Sequence, residues 1–437
     1  MISKQVETGN FFILQSGRDS PASAVASNPS PPIRRILLVD CDAFYVQVAR
    51  QVDPEGAGRA PLLIVGGSAS GRGVVTSASY EARKHGVHSA MPTAHALRLC
   101  PQATVVPVPR DACVGKSREI REALVELAPA VQAASIDEFY LDLTGTERLF
   151  HREPLEATAH RIRTEVLQRT GISVSIGGAT RRLLAKLATS RAKPAGVHVV
   201  PPGSEEAFMA TLRLGEIPGV GPALLALLEA RGVVTVRDAL AVQPEWLRRW
   251  LGERRGDWLH GRIRGIDTSE VDPDEERKSI STERTFRSDI ADDEELERRL
   301  LRMVGSVGTT LRKSGMKART VTVKLRDPSF RTRQHSRTVP GVLESDAGIH
   351  AVARSLLAGL RAEDAGSVRL LGVGLSGLQE DAVEQLGLFG GTTEVESERD
   401  RTLSRVVDGI RARFGEDSVR PGRLMGERSP RTDEDDG

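Results

Sequence analysis

The apolar positions of this chain follow two periods, one typical of strands and one typical of helices. Residues 36–39 (Ile-Leu-Leu-Val) form a continuous apolar run that predicts a buried strand, and the run ends at Asp40-Cys41-Asp42. Residues 112–128 are apolar at helical spacing, and Ile136 with Phe139–Leu143 predicts a hairpin. Further helices are predicted at 156–169 and 181–192, and further strands at 172–176 and 197–200. Together these elements predict a ferredoxin-like βαββαβ frame, with residues 44–109 inserted after its first strand.

The second half of the chain predicts a different succession of elements. Residues 204–262 are expected to be all-helical, and residues 267–280 are a polar linker. A second β-α-β-β-α-β order follows, with strands near 279–286, 319–326, 332–339 and 367–375 and helices near 292–313 and 346–361. The tail from 379 is expected to be acidic and flexible, with one amphipathic stretch at 401–414.

Composition excludes several classes of protein. The 437 residues are enough for about three domains. No apolar run reaches the roughly 20 residues of a membrane helix, so no membrane contact is expected. Three cysteines, none in a CxxC pair, exclude a disulfide framework and a CxxC zinc site, and favour a reducing, cytoplasmic setting.

The net charge of +2 is a cancellation between two segments. Residues 276–378 carry 19 basic and 13 acidic side chains, whereas residues 379–437 carry 9 basic and 15 acidic ones. Only one acid, Asp327, interrupts a basic series in the first of these segments: Arg312, Lys313, Lys317, Arg319, Lys324, Arg326, Arg331, Arg333 and Arg337. Basic residues on adjacent strands predict a stripe that follows a phosphate backbone, although many charge runs are only solvated faces. The acidic tail is expected to be repelled from this stripe.

The strongest chemical signal is two pairs of acids. Asp40 and Asp42 are two residues apart and can converge on one face of a strand, and Asp137-Glu138 lies at the hairpin of the same sheet. Clustered carboxylates repel one another unless cations lie among them, and carboxylate oxygens suit Mg²⁺. Two such ions can clamp the attacking and leaving oxygens of a phosphoryl transfer. The alternative is that these are solvated acids at strand ends.

These acids lie in motifs that resemble the palm of Y-family DNA polymerases, in the bacterial DNA polymerase IV branch. The motifs are Val39–Tyr45 (VDCDAFY) and Ala134–Asp142 (ASIDEFYLD), and the resemblance extends over roughly residues 35–390. It implies that Asp40, Asp137 and Glu138 hold two Mg²⁺ ions with the backbone carbonyl of Cys41, and that Asp42 is a supporting carboxylate.

The same resemblance assigns the nucleotide pocket. It implies that Tyr45 is a steric gate against the 2′-hydroxyl, beside Phe44, for which a core position is favoured. The segment from Ser77 to Val87 resembles the family's finger motif, and Lys193 matches its Lys-Pro turn. The implied triphosphate contacts are Ser77, Tyr80, Arg83 and Lys193.

Two positions in the same region receive a different interpretation. Cys113 replaces an aromatic residue that is usual in the family, which puts the tightness of sugar discrimination in doubt. We interpret Cys113 as a small buried filler and Lys186 as solvated helix surface.

DNA and clamp contacts are implied further along the chain. Gly219 and Gly221 lie in a helix-hairpin-helix motif whose backbone amides can approach a phosphate, although a plain glycine turn is the alternative. The second βαββαβ unit resembles the family's little finger, and the implied DNA contacts are Arg319, Lys324, Arg326, Arg331, Arg333 and Arg337. The tail segment Gln385–Phe389 resembles a sliding-clamp peptide, with Gln385, Leu386, Leu388 and Phe389 as its contacts.

The resulting prediction is an α+β, right-hand DNA polymerase. The predicted domains are a disordered leader (1–33), a palm (34–43 and 110–200), fingers (44–109), a helical thumb (201–266), a linker (267–280), a little finger (281–378) and a flexible acidic tail with the clamp peptide (379–437). It is expected to be a monomer that binds primer-template DNA, dNTP and a sliding clamp and carries out low-fidelity translesion synthesis without proofreading. The rivals are another two-metal palm enzyme, such as a nucleotide cyclase, and a DNA-binding accessory protein with an inactive palm.

Overall fold

The structure is a computed structural model that describes residues 33–149, 152–380 and 396–424. No helix within these ranges is long and apolar enough to cross a membrane. The predicted leader, apart from Ile33, and the predicted clamp peptide at Gln385–Phe389 lie outside the described residues.

Six consecutive buried residues form β1 (Ile36–Cys41), the central strand of a five-stranded sheet. The chain then leaves this sheet for an insert with a three-stranded sheet of its own. The elements of the insert are α1 (Phe44–Val52), β2 (Leu63–Gly66), β3 (Val75–Ala78), α2 (Tyr80–Arg83), α3 (Thr93–Leu99) and β4 (Thr104–Val106). The predicted insertion after the first strand is therefore confirmed.

The chain returns to the first sheet after the insert. The elements are α4 (Arg110–Val125), β5 (Ala130–Ala133), β6 (Glu138–Asp142), α5 (Leu155–Thr170), β7 (Val174–Ala179), α6 (Arg182–Ala192) and β8 (Val197–Val199). The strand order is β5-β6-β1-β7-β8, and β1 runs antiparallel to both β6 and β7. This confirms the ferredoxin-like frame and adds β8 at one edge. Ile136 lies in the turn of the hairpin, because strand pairing stops at Ala133.

The helical unit that follows shares a core with the first sheet. Its helices are α7 (Glu205–Met209), α8 (Pro222–Glu229), α9 (Val236–Leu240), α10 (Pro244–Leu251) and α11 (Glu253–Arg262). Leu228, Leu247 and Leu259 are fully buried, and their cluster continues to Leu38 of β1 and Leu184 of α6. The apolar faces of these short helices are thus buried against α6 and one face of the sheet.

The polar linker lies along the first sheet. The Asp267 carboxylate accepts a hydrogen bond from the Leu183 backbone at 2.9 Å. Gln132 of β5 is buried, and its amide donates to Glu275 at 2.5 Å and accepts from the Asp272 backbone at 3.1 Å. These contacts join the linker to helix α6 and to the edge strand β5 of the first sheet.

The second βαββαβ unit has the predicted element order but a different strand order from the first. Its elements are β9 (Ser279–Ile290), α12 (Asp293–Lys313), β10 (Ala318–Arg326), β11 (Thr332–Leu343), α13 (Asp346–Glu363) and β12 (Val368–Ser376). The strands are arranged β11-β10-β12-β9, so the first strand lies at an edge, whereas β1 is interior in the first sheet. The two units therefore share an element order and not a topology.

The prediction of a flexible, repelled tail is wrong for residues 396–424, although the amphipathic stretch predicted at 401–414 does lie in a helix. Residues Glu398–Phe414 form a helix, α14, that packs beside α13. The buried Glu396 carboxylate accepts backbone hydrogen bonds from Glu344 and Ser345, and Asp408 pairs at 2.6 Å with Arg312, whose side chain is 8% exposed. Glu396 accepts backbone hydrogen bonds and Asp408 pairs with a guanidinium. These local contacts hold the segment against the second unit despite its net negative charge.

Candidate active site

Strand pairing brings the two acidic motifs together at one end of the first sheet. Asp40 lies directly opposite Glu138 of β6, and the Cys41 backbone donates a hydrogen bond to the Asp137 carbonyl at 3.0 Å. Asp40 is 8% exposed at this position. The antiparallel register of β1 and β6 is therefore what places Asp40, Asp137 and Glu138 beside one another.

Each of these three carboxylates contacts a separate polar partner. The Lys193 ammonium lies 2.7 Å from Asp40, and the Lys186 ammonium lies 2.7 Å from both oxygens of Glu138. Asp137 accepts a hydrogen bond from the Ser135 hydroxyl at 2.6 Å. The prediction that Lys186 is solvated helix surface is only partly correct: its side chain on α6 is 39% exposed, but α6 packs against β1 and directs the ammonium to Glu138. In the part of the chain that the structure describes, no three His, Cys, Asp or Glu side chains converge closely enough to hold a metal ion.

Burial and neighbouring charges together set the proton affinity of Asp40. The pKa of Asp40 is raised from 3.8 to about 6: burial is the largest cause, Lys193 lowers the pKa, and the charges of Glu138 and Asp137 raise it. A divalent cation would relieve this repulsion better than one lysine can, and carboxylate and carbonyl oxygens are the ligands that Mg²⁺ prefers. The donor set thus fits such an ion once the two lysines and Ser135 release the carboxylates.

Asp42 is separate from this group. It lies in the turn after β1, is 4% exposed, and accepts four hydrogen bonds. The donors are the Tyr80 hydroxyl at 3.0 Å, the Ser173 and Ser175 hydroxyls at 2.9 and 2.7 Å, and the Ala195 backbone at 3.0 Å. The expected convergence of Asp42 with Asp40 does not occur, because the strand ends at Cys41 and Asp42 turns toward β7 and α2.

The two aromatic residues after Asp42 have different surroundings. Phe44 is buried in the core, and Tyr45 is half-buried with its ring 5.5 Å from that of Phe44. Burial and the nearby charge of Asp137 raise the pKa of Tyr45. Cys113 is fully enclosed in the same core, and burial raises the pKa of its thiol to about 11. Tyr45 thus lies beside the carboxylates, and Cys113 occupies space behind it.

The proposed triphosphate residues lie on β3 and α2 in the insert. Ser77 is buried on β3, and the Arg83 guanidinium lies 5.0 Å from the centre of the Tyr80 ring. The Ser79 hydroxyl accepts from the Ala82 backbone and so caps α2. Burial, followed by the charge of Asp42, raises the pKa of Tyr80. Sequence reasoning missed the hydrogen bond from Tyr80 of α2 to Asp42, which follows the strand that carries Asp40.

Sequence reasoning also missed Lys186, Ser135, Ser173 and Ser175. One signal was present for the first of these. The chain has nine lysines, and Lys186 and Lys193 are seven residues apart, which is about two helical turns and places them on the same side of a helix. The serines gave no comparable signal, because serine is common on strands and in turns of every kind.

The glycine turn before α8 has one constrained and one open position. Gly219 has a φ of +97°, and a Cβ there would lie 2.6 Å from the Trp258 ring. A Cβ on Gly221 would meet nothing within 4 Å. Glycine is required at 219 by the positive φ and by the contact with Trp258, whereas at 221 the backbone is accessible.

The second sheet divides the predicted basic stripe between its two faces. Lys324 and Arg326 lie on the face opposite the helices, since they alternate with buried Val323 and Leu325. Arg333 pairs in register with Leu325 and lies on the helix side, where it binds Asp364 and the Leu360 carbonyl at 3.1 Å each.

The remaining members of the stripe are dispersed around the sheet. Arg337 pairs with Val321 on the helix side, Arg331 lies in the turn before β11, and Arg319 lies at a bulge in β10. Arg312, which the charge pattern grouped with these residues, is 8% exposed and holds α14. The structure therefore does not place the predicted residues on one surface.

Comparison with known proteins agrees with this geometry. Residues 39–190 match the model of the impB/mucB/samB family, and residues 277–388 match the C-terminal domain of the same family. DNA polymerase IV from Halorhodospira halophila is 41% identical over 362 residues, which are 82% of this chain and 99% of that protein. DNA polymerase IV from Caulobacter vibrioides is 37% identical over 89% of this chain and 94% of its own length.

The chain belongs to the Y family of DNA polymerases, in the DNA polymerase IV branch. Among solved structures, a chimera of the Y-family polymerases Dbh and Dpo4 superimposes with a TM-score of 0.71 at 26% identity, over 79% of this chain and all of the chimera. An insertion ternary complex of Dbh DNA polymerase has a TM-score of 0.57 at 27% identity, over 78% of this chain and 98% of that chain. The multidomain polymerase fold that the motifs imply is thereby confirmed.

Proposed function

We propose that this protein is a template-directed DNA polymerase that adds dNTPs to a primer 3′-hydroxyl, with low fidelity and across damaged templates. The observation that carries the proposal is the register of β1 and β6, which puts Asp40 opposite Glu138 with Asp137 beside them. Relatives of nearly the same length are DNA polymerase IV enzymes, and the similar Dbh structure is an insertion ternary complex. The predicted domains occupy the described chain, and we assign none of them to proofreading.

Two Mg²⁺ ions held by Asp40, Asp137, Glu138 and the Cys41 carbonyl complete the proposed site. When bound, such ions stabilise charge on the attacking and leaving oxygens of phosphoryl transfer. Lys186 and Lys193 neutralise Glu138 and Asp40 in their absence. Once it is released from Asp40, Lys193 becomes a cation available to the triphosphate.

The nucleotide pocket is proposed to lie between α1 and α2. Tyr45, half-buried beside Asp137, fills the space below the sugar and rejects a 2′-hydroxyl, and buried Phe44 fixes its ring. The Arg83 guanidinium donates from Nε to the Ala78 carbonyl at 3.0 Å, and no carboxylate among the described residues pairs with it, so its charge is available to phosphate oxygens. Ser77 and Tyr80 complete this surface, with Tyr80 held by its bond to Asp42.

DNA is proposed to contact the glycine turn of the thumb and the open face of the little finger. Gly221 leaves its backbone accessible before α8, Lys324 and Arg326 lie on the open face, and Arg331 and Arg319 lie at a turn and a bulge of the same sheet. Arg337 is dropped from the predicted contacts because it lies on the helix side, opposite buried Val321. Arg333 is dropped from this set because it is held by α13 and Asp364. The proposed domain limits are those of the sequence analysis, except that residues 396–424 belong structurally with the little finger.

The clamp peptide stays a proposal from sequence alone. Deleting Gln385–Phe389 should weaken binding of a purified bacterial sliding clamp, measured by surface plasmon resonance, and leave extension without the clamp unchanged. If clamp binding persists after the deletion, the peptide has no such role.

The proposed monomeric state is a separate question. Analytical ultracentrifugation tests it by measuring the mass of the protein in solution.

Primer extension with Mg²⁺ tests the polymerase proposal. The wild-type protein should extend a primed template, and Asp137→Ala with Glu138→Ala should abolish extension, because the proposed ligands are gone. Asp433→Ala with Glu434→Ala is a matched control that removes the same dipeptide from the C-terminal end. Absence of extension by the wild type, or equal extension by the palm variant, would refute the proposal. Formation of a cyclic nucleotide from a triphosphate would favour the cyclase rival.

A further inference from the structure

The thumb carries an aromatic pair, exposed Trp246 and partly buried Trp250, to which the proposed polymerase mechanism assigns no role. All three tryptophans of the chain, Trp246, Trp250 and Trp258, lie in the hairpin formed by α10 and α11. Trp246 and Trp250 are one helical turn apart, with ring centres separated by 6.2 Å. Trp246 is 48% exposed, whereas Leu247 beside it is fully buried and attaches α10 to the core. Packing of the helix therefore does not explain Trp246.

Two arginines extend this aromatic pair at both ends. The Arg249 guanidinium lies 5.3 Å from the Trp246 ring centre, and the Arg231 guanidinium lies 5.3 Å from the Trp250 ring centre. We call Arg249, Trp246, Trp250 and Arg231 the tryptophan–arginine ladder. Arg248, which is adjacent in sequence, pairs with Asp257 and Glu245. By contrast, no carboxylate in the described ranges pairs with Arg231 or Arg249, so both retain charge for a ligand.

The ladder is joined to the glycine turn of the same unit. Arg231 follows α8, the helix that begins after Gly221, and Trp258 from the α10–α11 hairpin packs against Gly219. A chain bound to the ladder would therefore lie on the unit that carries the proposed phosphate contact.

The chemistry of the ladder favours one kind of ligand. Exposed aromatic rings next to cations suit a polymer that offers flat π faces and negative charge together, which is an unpaired nucleic acid strand. A duplex conceals its base faces by stacking and offers mainly phosphates. We propose that the tryptophan–arginine ladder binds single-stranded DNA, with bases stacked on Trp246 and Trp250 and phosphates near Arg231 and Arg249. The site needs neither primer terminus, dNTP nor metal, and so goes beyond the polymerase activity.

Tryptophan fluorescence of the full-length protein, excited selectively over tyrosine, tests the ladder, since all three tryptophans lie in this hairpin. Titration with a short oligo(dT), without metal or dNTP, should quench tryptophan emission, because a stacked base contacts the exposed indoles. In Trp246→Phe with Trp250→Phe, which leaves Trp258 as the only emitter, the quenching should disappear. Trp246→Ala should weaken binding of labelled oligo(dT), measured by anisotropy, by about fivefold to a hundredfold. Ile266→Ala is the matched control, since Ile266 is 47% exposed in the same unit but lies outside the ladder.

Several outcomes would overturn the proposal. Undiminished quenching in the double phenylalanine variant would show that the strand is near Trp258 only. Equal affinity of Trp246→Ala and wild type for oligo(dT) would remove the ladder from DNA binding and leave a protein partner as its use. Equal quenching by a duplex of the same length would indicate phosphate contacts without stacking. Arg249→Ala leaves the helix packing intact. It should weaken oligo(dT) binding and reduce the dependence of that binding on salt concentration. The proposal can therefore be tested even if the tryptophan variants do not fold.

Discussion

Replacing Asp42 with asparagine separates a structural carboxylate from the proposed metal ligands. One oxygen of Asp42 accepts from Tyr80 and Ser175, and the other accepts from Ser173 and the Ala195 backbone. An asparagine oxygen can keep the first pair, but its amide then faces the Ala195 N–H, which is also a donor. Hydrogen bonds to a charged group contribute about 1.5–3 kcal/mol, and a buried donor without an acceptor costs about 1–3 kcal/mol. We expect Asp42→Asn to lower the opening free energy around β1 and β7 by about 3 kcal/mol.

Hydrogen exchange measured by mass spectrometry reports this local loss. Amides of β1 and β7 should exchange roughly a hundredfold faster in Asp42→Asn, since each 1.4 kcal/mol is a factor of ten. Asp137→Asn should leave exchange in these strands unchanged while it abolishes extension, because Asp137 lies in an exposed turn. Asp53→Asn is the control for an exposed aspartate that accepts two backbone hydrogen bonds. Unchanged exchange in Asp42→Asn together with lost extension would refute the reasoning and make Asp42 a ligand.

Four other substitutions test separate parts of the structure. Tyr45→Ala should raise ribonucleotide use relative to deoxyribonucleotide by about fivefold to a hundredfold in kcat/KM, since the ring no longer collides with the 2′-hydroxyl; unchanged selectivity would remove the gate. Lys186→Ala should lower the Mg²⁺ concentration for half-maximal extension by up to about fivefold, because a partly exposed pair with Glu138 is worth at most about 1 kcal/mol; a higher requirement would contradict this. The pKa of Asp40 is raised from 3.8 to about 6, chiefly by burial. Without metal, protonated Asp40 therefore stabilises the fold below pH 3.8, and this stabilisation is lost as the pH rises through about 6. Asp40→Asn should flatten the dependence of Tm on pH over that interval, and an unaltered profile would contradict the shift. Asp408→Asn should speed protease cleavage within α14 and leave primer extension unchanged; unaltered cleavage would show that the Arg312 pair does not hold this helix.

Local patterns of the sequence were sufficient to predict most elements of the fold. The period of the apolar residues and the prolines and glycines at the ends of segments are local properties, and they predicted both βαββαβ orders. Strand order in the second unit could not be obtained in this way. The position of β9 at the edge depends on pairing with β12, which is about 80 residues later in the chain.

The faces of individual residues were harder to predict than the elements that carry them. A basic stripe was expected from nine charges in sequence, but a strand sends alternate side chains to opposite faces, and Arg333 therefore lies on the helix side. Arg312 was counted as surface charge, yet it is buried because α14 brings Asp408 to it. Average charge does not show which members of a segment have partners.

The lysines explain how the palm can fold with three acids at one place. Asp40, Asp137 and Glu138 are fixed by the pairing of β1 and β6, so their mutual repulsion cannot be relieved by moving the strands apart without loss of the core. Lys186 and Lys193 lie near the middle and at the end of α6, and each ammonium lies 2.7 Å from one carboxylate. Both pairs are partly exposed, so each adds little stability and can be exchanged for a stronger cation at small cost. A fully buried pair would be costly to break, and the partial exposure of these lysines is therefore what keeps the carboxylates available.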